Sequence, residues 1–155
     1  MLDPFDVALL NIIQRDDSQT ADQLATQVAL SPSAIARRLR RLRGEGWIGR
    51  TIALLSDRFT DQRLRALVFV ELAEHADLKG KMAVEERLRA VDQVQFCYEV
   101  TGDSDLLLLV DCTNMLEFNR FCDEVLVADP TVRRYETSFV KREIKFQPFI
   151  KLASA

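Results

Sequence analysis

The chain has 155 residues, 48% of them hydrophobic and 29% charged, and a formal net charge of −3. That composition excludes a disordered or fibrous chain and leaves room for one large domain or two small ones. The longest apolar runs, 66–70 and 106–110, fall far short of the ~18 residues a membrane span needs, and the acidic opening MLDPFDVALL is no signal peptide, so a cytoplasmic location is expected.

In chain order, Phe5, Leu9, Ile12 and Ile13 recur at helical spacing, with Asp3 and Asp6 in the first turn, where the helix dipole favours acids. Thr20-x-x-Gln23 is a capping box, and the helix it opens buries Ala21, Leu24, Ala25 and Val28. After the tight turn at Ala29 and Leu30, Ser31 caps a third helix with Pro32 at its first position, and Gly44 and Gly46 stop it. Two short helices separated by a tight turn, the second one basic, form the helix-turn-helix pattern. Trp47 to Leu55 reads as a strand or small wing, and the polar SDRFTDQR, 56–63, as a linker.

From Leu64 the periodicity changes and a second domain begins. Leu67 to Leu72 reads as a strand, and 78–91 as a helix with Met82, Val84, Leu88 and Val91 inward. Val94, Phe96, Tyr98 and Val100 alternate with Gln95, Cys97 and Glu99 as in a half-buried strand. The turn Thr101-Gly102-Asp103-Ser104 leads into a strand from Asp105 to Cys112. Thr113 or Asn114 then caps a helix with Met115, Phe118, Phe121, Cys122, Val125 and Leu126 at a helical period, and Val132 to Val140 is a last strand. The order is βαββαβ, a ferredoxin-like unit whose four-stranded sheet leaves one face without helices. A second copy of the chain would cover that face. The domain boundaries expected are 1–50, 51–63 for the strand and linker, and 64–152.

Charge is unevenly spread. Between Ser31 and Arg50 stand six arginines (Arg37, Arg38, Arg40, Arg41, Arg43, Arg50) against Glu45 alone, a surplus of five positive charges on an otherwise acidic body. A focused basic stripe suits docking on a polyanion through one element. Arg donates two parallel hydrogen bonds to guanine or grips a phosphate. Ser33 and Arg37, near the helix start, are the expected base readers, with Ala34 against a thymine methyl. Ser31 belongs to the same surface, and Arg38, Arg40, Arg41 and Arg50 are assigned to phosphates.

Catalysis is not expected. There is no nucleophile and base in a recognisable motif, no phosphate-binding glycine loop, and no ligand cluster that suits a metal or cofactor. The solitary His75 reads as a solvated loop residue. Cys97, Cys112 and Cys122 are odd in number and widely spaced in hydrophobic runs, which suits buried thiols in a reducing compartment.

Several stretches form a set: Leu2-Asp3-x-x-Asp6 with Leu9-Leu10, Gln23-Leu24-Ala25, Leu30-Ser31-x-Ser33, and Arg38-Leu39-x-x-Leu42 running into Gly46-Trp47-Ile48. Val100-Thr101-Gly102-x-x-Asp105 and Lys145 complete it. Together they resemble the Lrp/AsnC family of feast/famine regulators, with Leu106 departing from the aromatic common in the family. The resemblance implies a winged helix-turn-helix followed by a ferredoxin-like RAM-type domain, an α+β architecture. It also implies dimers that assemble into tetramers or octamers, a bacterial or archaeal nucleoid-associated setting, and double-stranded DNA as partner. A small effector, usually an amino acid, would bind between C-terminal domains, which places Thr101, Gly102, Asp103 and Asp105 at that site, with Ser138 a further candidate. The glycine would let backbone N–H groups approach a carboxylate, and the aspartates would accept from an ammonium. The alternative is an architectural DNA-binding protein of the same fold without an effector.

Overall fold

The computed structural model describes residues 1–73 and 78–153, so His75 lies outside the described residues. The chain divides into two compact units: Met1–Leu54 together with the chain end from Lys145, and Leu55–Ile144. The closing stretch from Lys145, assigned from sequence to the second domain, therefore packs with the first.

Helix α1, Pro4–Ile13, begins at a complete capping box, in which Asp3 accepts from the Asp6 N–H and Asp6 from the Asp3 N–H. Helix α2, Ala21–Ala25, has the Thr20/Gln23 box expected of it. Helix α3, Pro32–Gly44, starts where the Ser31 hydroxyl accepts from the Ala34 N–H. The three helices close over Leu9, Leu10, Ile13, Leu24, Val28, Ile35, Leu39 and Leu42, and each such side chain stabilises the unit by roughly 1.5–3 kcal/mol. Gly46, at φ +77°, then turns the chain back so that the Trp47 N–H reaches the Leu42 carbonyl. Residues 47–56 form no strand, although Trp47 to Leu55 read as a strand or small wing. An extended segment becomes a strand only when another supplies partners for its backbone groups. Ile52, Leu54 and Leu55 are left exposed. The polar segment that follows contains one turn of helix, α4, Asp57–Thr60.

The second unit follows the βαββαβ order. Its elements are β1 (Leu64–Leu72), α5 (Leu78–Ala90), β2 (Val94–Glu99), β3 (Leu106–Cys112), α6 (Met115–Phe121) and β4 (Val132–Phe139). The helical turn after α6, Cys122–Val127, widens to π geometry, with the Ala128 N–H bonded to the Asp123 carbonyl. The strands form one antiparallel sheet in the order β2-β3-β1-β4. Ala66, Val68, Val70 and Leu72 of β1 and Leu106, Leu108, Val110 and Cys112 of β3 face the helices, where they meet Val84, Leu88, Phe118, Phe121 and Leu126. Alternation puts Leu67, Phe69, Leu107 and Leu109 on the opposite, helix-free face.

Three expectations about inward residues are corrected. The β2–β3 pairing shifts register between Val94 and Phe96, so beyond that bulge Cys97 joins Val94 on the core side. Phe96 and Tyr98 therefore leave it, and they stack on each other with ring centroids 4.9 Å apart. Met82 and Met115 are exposed, because the inward stripe of each helix is narrower than its apolar content. All three cysteines are free, and burial pushes the Cys112 thiol up to about 11.

Candidate nucleic-acid interface and ligand site

The arginines of α3 fall into two sets. Arg38 and Arg41 turn towards α1. Arg38 Nη1 donates to Asp3 Oδ2 at 2.6 Å and Asp6 Oδ1 at 2.8 Å, and Arg41 Nη2 donates to Asp6 Oδ2 at 2.5 Å. Asp6 has no solvent exposure. Burial pushes its carboxyl up, but Arg41, the Asp3 N–H and Arg38 together outweigh that and hold it below its ordinary value. Arg38 also lies 5.6 Å from the centre of the Phe5 ring. These two side chains, assigned from sequence to phosphates, are thus tied into the unit that carries α3. Arg43 is tied as well, to Asp17 at 3.1 Å, and Asp17 accepts from the Thr51 hydroxyl at 3.0 Å.

Ser33, Arg37 and Arg40 project from the opposite side of α3, and Arg50 is exposed beyond the turn. Among the described residues neither Arg37 nor Arg40 has an ion-pair partner. The helical period explains the split. At ~100° per residue Arg37 and Arg40 lie opposite Ile35, whereas Arg38 sits only ~60° from it, on the flank that meets α1. Ser31 is occupied as the cap and lies 3.2 Å from the Ser33 hydroxyl, and Ala34 is half-buried beside them. The free surface of α3 therefore has serine hydroxyls at its start and guanidiniums along its length.

In the second unit, the turn between β2 and β3 is shaped by Gly102 at φ +122°, a conformation an L side chain rarely adopts. Asp105 is a backbone pin. Its carboxylate Oδ2 accepts from the Leu72 N–H at 2.7 Å, where the β1–β4 pairing is irregular between Glu71 and Leu72. Thr101 and Asp103 are exposed. Asp103 and Ser104 line a concavity of about 310 Å³ with Phe69, Glu71, Arg134 and Glu136. Glu71 accepts from Arg133 Nη1 at 2.6 Å and Arg134 Nε at 2.5 Å. The hollow thus presents both carboxylates and guanidinium, the pairing a zwitterion requires. Ser138 stands opposite Leu67, four residues along β1 from Glu71, or ~13 Å at strand rise. Within one chain the structure does not bring it to the turn. Glu71 and Arg134 were not anticipated from sequence, because only the cross-strand register makes them neighbours of Asp103.

A larger cleft of about 540 Å³ lies between the end of α5 and α6. On its wall the Glu117 carboxylate accepts from the Thr113 hydroxyl and N–H, each at 2.6 Å, and is held at about 2 by those bonds and by Gln93. That carboxylate closes the start of α6.

Residues 2–48 match the model of a winged helix-turn-helix DNA-binding domain, and residues 65–149 that of the Lrp/AsnC ligand binding domain. The leucine-responsive regulatory protein of Salmonella typhimurium is 33% identical over 148 residues, covering 93% of this chain and 87% of that protein. An HTH-type transcriptional regulator of Sinorhizobium fredii is 33% identical over 145 residues, covering 93% of this chain and 85% of its own length. Among solved structures, a transcriptional regulator from Neisseria meningitidis in complex with L-methionine superposes with a TM-score of 0.86 at 30% identity, covering 96% of this chain and 95% of that one. An AsnC family regulator from Agrobacterium tumefaciens also reaches 0.86, at 25% identity with 96% of each chain covered. No helix among the described residues is long and apolar enough to cross a membrane. With a DNA-binding helix-turn-helix ahead of a ligand-binding domain over nearly its whole length, this chain belongs to the Lrp/AsnC family of transcriptional regulators and is not an enzyme.

Proposed function

We propose that paired copies of this chain read a palindromic site on double-stranded DNA through α3, and that an amino acid held at the 101–105 turn shifts their assembly or their affinity. The division of the α3 arginines carries the DNA half of this reading. Arg38, Arg41 and Arg43 are spent on Asp3, Asp6, Glu45 and Asp17, whereas Arg37 and Arg40 have no ion-pair partner among the described residues and remain outward. Ser33 and Arg37 read base edges, with Ala34 at a thymine methyl and Ser31 beside them; Arg40 and Arg50 hold phosphates. Two such helices about 34 Å apart match one turn of DNA.

For the ligand half, support comes from the mixed charge of the hollow at Asp103 and Arg134 and from the L-methionine bound by the Neisseria regulator. The helix-free sheet face, with Leu67, Phe69, Leu107 and Leu109, supports pairing with a second copy, from which tetramers or octamers follow. Ser138 would enter the site from such a neighbour. The setting is the cytoplasm, on the nucleoid.

Binding isotherms over a salt series test the DNA half. Arg37→Ala relaxes sequence preference, at about 1–3 kcal/mol on the best site, while Arg40→Ala weakens all sequences about equally and reduces the salt slope by about one. The reverse pattern overturns the assignment. A screen of the twenty amino acids for thermal stabilisation tests the ligand half: a true effector raises the midpoint in proportion to its concentration. If none does, the architectural alternative replaces it.

A further inference from the structure

Beyond β4 the chain leaves the sheet unit, and from Lys145 it belongs to the helical one. There two carboxamides, Asn11 of α1 and Gln14 at its C-cap, each engage the backbone of one residue in the returning segment. Gln14 Oε1 accepts from the Ile150 N–H at 3.0 Å and Gln14 Nε2 donates to the Ile150 carbonyl at 2.5 Å. Asn11 Oδ1 accepts from the Leu152 N–H at 3.0 Å and Asn11 Nδ2 donates to the Leu152 carbonyl, also at 3.0 Å. Gln14 Nε2 further donates to Asn11 Oδ1 at 3.2 Å, which fixes both amide orientations. The Arg15 guanidinium lies 4.3 Å from the centre of the Phe149 ring, and Leu152 packs against the helical core.

A carboxamide carries one acceptor and one donor group side by side, as a peptide unit does. Asn11 and Gln14, three apart on one helix face, therefore imitate two peptide groups of a missing strand. They meet alternate residues, 150 and 152, as the two-residue period of an extended chain requires. All four backbone groups are satisfied, with an aromatic anchor at one end and an aliphatic one at the other. That is the chemistry of extended-peptide recognition transferred to a helix.

We infer that Asn11, Gln14 and Arg15 form a peptide-docking surface whose occupant is residues 149–152 of the same chain, and that this non-covalent latch tethers the DNA-binding unit to the sheet unit a second time. With the chain crossing after Leu54 as the only connection, the helical unit would have to give up rotational freedom when α3 engages DNA. The latch removes part of that freedom beforehand, and preorganisation of this kind raises affinity without adding a contact.

Amide exchange followed by NMR on the full chain tests the docking directly. Ile150 and Leu152 should be protected while Lys151 between them exchanges fast. Asn11→Ala combined with Gln14→Ala should abolish that protection and leave the amides of α3 protected. A second full-length variant, Ile150→Pro with Leu152→Pro, removes the two tail donors without touching α1. Both should bind the specific DNA site about three- to tenfold more weakly, with sequence preference and salt slope unchanged. Equal exchange at 150, 151 and 152 in the unaltered chain overturns the docking. Unchanged DNA affinity in both variants overturns the second connection. Protection that disappears when the protein is diluted to monomers assigns the tail to another copy and overturns the same-chain occupant.

Discussion

Asp6 is a fully buried carboxylate in the first turn of α1, and its three partners arrive from two elements: the Asp3 N–H, Arg38 and Arg41. Removing it loses the capping box and both ion pairs together. Asp6→Asn should therefore cost about 1–3 kcal/mol, less than a sealed ion pair would because both guanidiniums still reach water. The dependence on pH has a definite sign. Asp6 and Asp3 both sit below their ordinary 3.8, so their stabilisation is complete above that value and is lost as pH falls through their lower folded values. Urea unfolding of the parent and Asp6→Asn should show a gap that is wide at pH 7 and closes below pH ~3.8. A gap independent of pH would assign the loss to packing. Because Asp6 also holds two arginines of α3, one buried carboxylate sets which side chains of that helix turn towards α1.

Among the elements, the β2–β3 turn rests on Asp105, whose carboxylate serves the Leu72 N–H two residues past Val70, where the β1–β3 pairing ends and no strand partner remains on that edge. Asp105→Ala leaves that half-buried donor unsatisfied and should cost about 1–3 kcal/mol in chemical denaturation, with Asp105→Asn milder because an acceptor remains. Parent-like stability of the alanine variant would contradict the pin. A ligand-response test is cleaner at Asp103, which is exposed. What was legible in the sequence divides along the same line between local and distant causes. Thr20 with Gln23, and Ser31 with Pro32, declare helix starts because a cap is settled within four residues. The βαββαβ order was legible because alternation and helical period survive in each segment. The β2 bulge was not, since it depends on how β3 lies alongside, and it moved Phe96 and Tyr98 off the core side. The ion pairs that Arg38 and Arg41 make with Asp3 and Asp6 were not legible, because periodicity gives a residue's angle on α3 but not the position of α1. The docking of residues 150–152 was invisible, since polar side chains bonding to backbone leave no hydrophobic pattern.

For the whole molecule, the helix-free face of the sheet carries Leu67, Phe69, Leu107 and Leu109 in its two central strands, with Phe96 and Tyr98 beyond them. A carboxylate placed there would be buried unpaired in a paired assembly yet solvated in a single chain. Leu107→Glu, whose cross-strand neighbours are Phe69 and Tyr98, should accordingly shift sedimentation towards the monomer and weaken operator binding with it. An unchanged sedimentation coefficient would place the pairing surface elsewhere. The returning tail bears on the order in which the protein is built. The helical unit is encoded first, but Leu152, which packs on its core, lies 141 residues along the chain from Asn11. Domains emerging from the ribosome usually fold in the order they are made. Here the three helices can assemble early, but the unit is finished only after the entire sheet domain has been synthesised and residue 152 has emerged. A nascent chain would thus present an incomplete helical unit until the sheet unit has been made.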